Sequence, residues 1–189
     1  RLDAVHAIHD DSSEHILTDL ARRVRHSTAE EAGRHVHLVL ENDANEARFI
    51  TGRAEQFNAQ WNDDFHHALH ALVTNEKNGY YSDFGDIEQL VKSYNHAYVY
   101  DGIFSPLRKK IFGTKTTDQP GDRFIVFAQN HDQTGNRMLG ERLSILTGFE
   151  MQKLIAAVYL LSPFVPMLFM GEEYGEKQPF LYFTSHSDP

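Results

Sequence analysis

Apolar runs of strand character in this chain repeatedly end in charge. "RLDAVHAI" carries Asp3 and His6, and "HVHLVL" runs into Glu41, Asn42 and Asp43. "FNAQW" leads to Asn62, Asp63 and Asp64, "RFIVFAQ" to Asn130, His131 and Asp132, and "VPMLFM" to Gly171, Glu172 and Glu173. A charge at the tip of a buried strand is costly unless it is paired or does chemistry. Segments of helical spacing separate these runs, an alternation that points to βα units on a parallel sheet. In such folds the loops after the strand C-termini share one face, and active sites sit there. The pattern constrains the chain to an α/β fold with an acidic pocket at one end of its sheet.

Strands are expected at Leu2–Ala7, His35–Leu40, Phe57–Trp61, Arg123–Gln129 and Val165–Met170. A helix after the first strand places Ile16, Leu17, Leu20, Ala21 and Val24 on one face, with Asp11 as its cap and Glu14 three residues on. Asp63–Thr74 has Phe65, Leu69, Leu72 and Val73 at helical spacing. Asp86 is expected to cap a further helix with the stripe Ile87, Leu90, Val91, Tyr94 and Tyr98, and Glu150–Ser162 a last one with Met151, Leu154, Ile155, Val158 and Leu161. Thr114–Asp122, polar and holding Pro120 and Gly121, reads as a loop. There is no internal repeat, and the whole chain, 1–189, reads as one domain.

The net charge of −9 argues against a nucleic-acid or anionic-membrane partner, since binding by counterion release needs clustered Lys and Arg. No apolar run approaches the roughly 20 residues of a membrane span. The absence of cysteine removes disulfides and thiolate chemistry and fits a reducing compartment, so the cytoplasm is the expected location. The chain opens on what looks like the end of a strand, and residue 1 is expected to be a cut point inside a larger protein.

Several acids on separate strand tips suit glycoside hydrolysis. One carboxylic acid protonates the leaving oxygen, while a second carboxylate attacks the anomeric carbon or activates water. A third stabilises the positive charge that develops. Asp3, Glu41 and Asp132 fit such a set. Arg1 leaves its strand on the same side as Asp3, because side chains alternate with period two, and its guanidinium is expected to pair with and orient that carboxylate.

"RLDAVHAI", "LVLEND" and "FAQNHDQTGNR", in that order and spacing, resemble the later conserved regions of the α-amylase superfamily of glycoside hydrolases. "QWNDDFHHALHALVT", "GYYSDFG", "FMGEEYG" and "PFLYFT" are similar to the maltooligosyltrehalose trehalohydrolases within it. The resemblance implies a (β/α)8 TIM barrel of which this chain carries strands four to eight with their helices, the first three units and flanking domains lying outside it. It implies Asp3 as nucleophile, Glu41 as general acid/base and Asp132 as transition-state stabiliser. Arg1, His6 and His131 would then line the subsite of the attacked glucose. It further implies retention of configuration through a covalent glycosyl intermediate, cleavage of the α-1,4 bond next to a terminal trehalose, and no cofactor. Another α-glucan-acting enzyme of the superfamily, of amylase, branching or debranching type, is the nearest alternative; a catalytically incomplete glycan-binding fragment is the other. A barrel lacking three strands exposes sheet edges, so the missing barrel half or a second copy is the expected partner.

Asn62 and Asp63 complete the expected substrate-binding set together with Trp61, whose ring serves either as a sugar platform or as core. Tyr80, Tyr81 and Phe84 carry the same two readings, and Phe180–Phe183 is expected to shape the aglycone side. Glu172 and Glu173 are candidates for sugar hydroxyls. His66 and His70 have the spacing of a metal pair but no evident third ligand, and no metal is expected; His66 and His67 are expected to pack and hydrogen-bond beside the pocket.

Overall fold

A computed structural model describes residues 1–51, 56–116 and 118–182, without the side chains of 29–32. Its centre is a four-stranded parallel sheet of β1 (Val39–Leu40), β2 (Ala59–Trp61), β5 (Phe124–Val126) and β6 (Val165–Pro166), in that spatial order. Leu2 extends it by a parallel bridge to Leu40. Strand order follows chain order without a reversal. A doubly wound sheet reverses at a switch point, whereas a barrel winds in one direction, and this arc has the strand order of a barrel segment.

The paired segments are shorter than the apolar runs. Phe127 and Ala128 stay buried beyond the three-residue ladder of β5, so the run marks burial while pairing stops earlier. Likewise β1 covers only the end of His35–Leu40, β2 the end of Phe57–Trp61, and β6 the start of Val165–Met170. The expected strand Leu2–Ala7 is corrected more severely. Ala4 takes a left-handed φ of 47°, and the chain turns into a single 3-10 turn at Val5–Ala7, closed by Ala7 N–H on Ala4 O at 3.0 Å.

Helix α1 (Ile16–Ala32) packs Leu17 and Ala21 into the core. It is not capped by Asp11 and Glu14. Asp10 accepts the N–H groups of Ser12 and Ile16, His15 Nδ1 accepts that of Leu17 at 3.2 Å, and Glu14 pairs with Arg22 at 3.1 Å. Those bonds hold the loop open as far as His15, so the helix starts later. Helix α2 (Asp63–Thr74) has the expected bounds and buries Phe65, Ala68 and Leu69. Full burial of a side chain such as Phe65 contributes about 1.5–3 kcal/mol. Helix α3 (Ile87–His96) opens with a capping box between Asp86 and Gln89, as expected for Asp86, but ends before Tyr98, which is buried in the following loop.

An antiparallel hairpin of β3 (Ile103–Ser105) and β4 (Lys110–Phe112) was not foreseen. Short helices α4 (His131–Gly135) and α5 (Leu143–Leu146) follow β5. Helix α6 (Phe149–Leu160) is apolar on most sides, yet only Ile155 and Tyr159 are buried, while Phe149, Leu154 and Leu160 face solvent. Val165 of β6 is exposed too, so the sheet ends on an uncovered apolar edge. Among the described residues no helix is long and apolar enough to cross a membrane.

Candidate active site

The N-terminal segment and the end of β1 are laced together. Leu2 N–H bonds Val39 O at 2.9 Å, Glu41 N–H bonds Leu2 O at 2.8 Å, and Val5 N–H bonds Glu41 O at 3.1 Å. This lacing sets Asp3 beside Glu41. Glu41 is buried, and its Oε2 accepts the N–H of Ala4 at 2.5 Å. A left-handed conformation costs a non-glycine residue of order 1–3 kcal/mol and persists where surrounding structure over-determines it. At Ala4 that conformation accompanies an amide bonded to Glu41. Burial raises the Glu41 carboxyl above the usual glutamate range, against the lowering effects of the Ala4 amide and of His6; the charges of Asp3 and Asp132 add to the rise. His6 Nδ1 accepts the N–H of Asp43 at 3.1 Å, which leaves Nε2 to carry the proton of the neutral ring.

Arg1 Nη1 donates to Asp3 Oδ1 at 2.5 Å, and its guanidinium lies 4.2 Å from the centroid of the Trp61 ring. The third acid comes from the end of β5. Asn130 is buried, and its Oδ1 caps α4 by accepting the N–H groups of Asp132 and Gln133 at 3.0 Å each. His131 and Asp132 open that helix beside Asp3 of the N-terminal segment. A ring nitrogen of His131 and one carboxylate oxygen each of Asp3 and Asp132 all lie within 4.8 Å of one another. The His131 ring sits 6.0 Å from that of Trp61 and 5.1 Å from that of Tyr182.

A cavity of about 360 Å3 opens beside these acids, with Glu41, Asp43, Asp63, Asp64, Asp83 and Asp132 in its lining. Asp63 receives Gln133 Nε2 at 3.3 Å; burial, aided by the Glu41 and Asp43 charges, pushes its carboxyl up to about 8. Asp64 is buried and accepts Val99 N–H at 2.8 Å, Tyr100 N–H at 2.7 Å and Asn45 Nδ2 at 2.9 Å. Burial outweighs those three bonds and moves it to about 6. The hairpin forms the opposite wall. Asp83 holds its turn by accepting Ser105 Oγ at 2.6 Å and Leu107 N–H at 2.9 Å, and Arg108 bridges to Asp43 at 2.5 Å while covering the Phe112 ring. Six acids against one arginine make this a pocket for a neutral, hydroxyl-rich ligand or a developing cation, not for an anion.

Of the residues expected from sequence, Arg1, Asp3, Glu41, His131 and Asp132 gather at one mouth of the sheet, with His6 adjacent and Asp63 on the cavity wall. Trp61 and Asn62 are not among the cavity residues. Trp61 is buried beneath Arg1 and against Phe127, and Asn62 caps α2 through Phe65 N–H and donates to Ala97 O at 2.7 Å. Trp61 thus sits in the core position of its two readings, under Arg1, and Asn62 holds the start of α2. Tyr80 and Phe84 line the cavity, and Tyr80 stacks on His67 with 5.6 Å between ring centroids.

Tyr81 is buried; His66 Nε2 meets its hydroxyl at 3.2 Å and the His70 ring stacks on it at 4.3 Å. His70 Nε2 meets Glu76 at 2.7 Å, so His66 and His70 are each engaged with other partners. Glu172 accepts Tyr159 Oη and Phe169 N–H at 3.1 Å each and lines, with Glu173, a second cavity away from Asp3. Phe180 and Tyr182 lie stacked beside His131, and Phe183 is outside the described residues. Sequence reasoning missed Asp83, in a 3-10 turn before α3, Tyr100, in the loop after it, and Arg108, in the turn of the hairpin. For Arg108 the signal was present in "IFSPLRKKIF", two apolar pairs around a proline-containing turn.

No protein-family model matches the chain. It is 49% identical over 192 residues to malto-oligosyltrehalose trehalohydrolase of Saccharolobus solfataricus and 46% identical over 193 residues to that of Arthrobacter ramosus, covering 100% of this chain and 33% of each relative. The protein of that name from Deinococcus radiodurans is 35% identical over 99% of this chain and 30% of its own length. A 1.4 Å crystal structure of an alpha-amylase candidate from Salmonella typhimurium superposes with a TM-score of 0.89 at 43% identity, over 96% of this chain and 32% of that one. The chain thus spans about a third of the curated relatives it matches, at 33% of the first of them. Along its whole length it is a homologue of that segment of the malto-oligosyltrehalose trehalohydrolases, which bears out the resemblance read from its motifs.

Proposed function

We propose that this chain carries the three reacting carboxylates of a retaining glycoside hydrolase of the α-amylase superfamily, which cleaves the α-1,4 bond next to the terminal trehalose of a maltooligosyltrehalose and releases trehalose. The observation that carries the reading is the buried Glu41 carboxyl, raised in pKa beside Asp3 and Asp132. An acid in that state holds a proton to give.

In the first half-reaction Asp3 attacks the anomeric carbon as the bond to the leaving oxygen breaks and Glu41 gives that oxygen its proton. An ester between Asp3 and the sugar results. Glu41, now charged, takes a proton from water as the water displaces Asp3, so the two inversions retain configuration. Asp132 faces the positive charge that develops between these steps, and His131 and His6 offer hydrogen bonds to sugar hydroxyls. No step calls for a cofactor. Residues 1–189 act in this reading as strands four to eight of a cytoplasmic (β/α)8 enzyme. The remaining strands would cover the exposed apolar edge at β6 and α6.

The test uses the complete polypeptide that carries this chain. A maltooligosyltrehalose should be cleaved in preference to a plain maltooligosaccharide of equal length, with trehalose as product. Preference for the plain chain would replace the trehalohydrolase reading by another α-glucan enzyme, and binding without turnover would replace it by a glycan-binding role. Asp3→Asn should nearly abolish turnover.

A further inference from the structure

The segment after β5 carries Asp132 and has little apolar anchorage at its far end. Met138 is 96% exposed and Leu139 62% exposed. What holds it is polar. Arg137 makes a two-pronged bridge to Glu76, Nη1 to Oε2 and Nη2 to Oε1, each at 2.8 Å. His70 Nε2 lies 2.7 Å from the same Oε2, and Glu141 lies 3.4 Å from Arg137 Nε. His70 is buried and stacked on Tyr81, so the carboxylate is braced from behind. Two lesser ties flank this bridge, Gln133 Nε2 to Asp63 and Phe180 N–H to Gly140 O at 2.8 Å.

The bridge is close to the reacting acid along the backbone. Asp132 O accepts Asn136 N–H at 2.8 Å, and Arg137 follows directly. Glu76 stands just beyond α2, the helix whose first turn supplies Asp63 to the cavity. The clamp therefore joins two elements that each place an acid in the site. We propose that Arg137, paired with Glu76 and backed by His70, is a positioning residue that fixes Asp132 against Asp3 and His131. It touches no substrate. This rests on the proposed glycosidase reading. Misplacing a reacting group by about 1 Å costs roughly a hundredfold in rate, while uniform substrate binding does not pass through this bridge.

Arg137→Lys keeps the charge but loses the planar fork. In the complete polypeptide it should lower kcat about 10- to 100-fold with KM within about twofold of wild type. Backbone amide exchange over 131–140 should quicken while the melting temperature stays near that of wild type. Glu76→Gln should reproduce both effects, and the double variant should be no worse than either single one, because the residues act as a unit. Wild-type kcat in Arg137→Lys, or a lower kcat with unchanged exchange over 131–140, would overturn the proposal. Exchange is read whether or not glucan is cleaved. A wild type without turnover therefore sinks the functional reading, whereas an active wild type with indifferent variants sinks the clamp.

Discussion

Glu41 Oε2 and the backbone N–H of Ala4 are joined at 2.5 Å, so the side chain of one proposed reacting acid is bonded to the residue that follows the other. Because φ of Ala4 is 47°, that amide turns towards Glu41 at a conformational cost. Glycine adopts this conformation freely, so Ala4→Gly should raise stability by about 1 kcal/mol in chemical denaturation. Ala4→Pro, which removes the N–H and forbids positive φ, should remove turnover. A less stable Ala4→Gly would show that the backbone is not strained there.

Glu41 should set the alkaline limb of the rate profile. Its pKa is raised in the folded protein, so it remains protonated above the ordinary glutamate range, and activity should fall as pH rises through the raised value. Glu41→Gln holds no transferable proton and should lower kcat by about 10²–10⁴-fold on substrates with poor leaving groups. A substrate whose leaving group needs no proton should be spared in the first step. Equal losses on both would remove Glu41 from the acid role.

Asp63 links the site to pH-dependent stability. Its carboxyl is raised from 3.8 to about 8, so the folded state holds the proton more tightly than the unfolded chain. The contribution is fully present below 3.8 and is lost as pH rises through about 8. Asp63→Asn removes that slope. Its melting temperature should match wild type near pH 4 and exceed it above pH 8. A constant offset at both pH values would refute the assignment.

The hairpin wall depends on Asp83, which accepts Ser105 Oγ and Leu107 N–H. Asp83→Ala leaves those donors unpaired, a loss of about 1–3 kcal/mol in stability. Arg108 then loses its fixed reach to Asp43. The expected kinetic effect is a KM raised about tenfold with kcat little changed, as for a binding wall remote from bond breaking. Steady-state kinetics on the trehalose-ended substrate decide it.

Much of the framework was legible because periodicity reports burial. Asp63–Thr74 and the Asp86 start were readable from spacing and capping alone, and the charged strand tips located Asp3, Glu41 and Asp132. Strand length was not legible, since Phe127 is buried without belonging to the ladder, and apolar pattern does not distinguish the two. The cap of α1 was misplaced because Asp10 and Asp11 are equivalent as residue types; only the loop's path decides which oxygen reaches Ile16 N–H. Trp61 and Asn62 sit at a strand tip but point into support roles, and the direction of a side chain at a tip depends on where the strand stops pairing. The role of Arg137, the last residue of "FAQNHDQTGNR", is not legible from the motif because its partner Glu76 is distant in sequence.

The seat of Trp61 has a spectroscopic consequence. It is the only tryptophan in the chain, and Arg1 covers its face while the His131 ring stands at its edge. Indole emission responds to the charge and polarity around the ring. Ligand arrival at Arg1 is therefore written into the emission spectrum. The residue beneath the site serves as an intrinsic gauge of its occupancy, legible without a label.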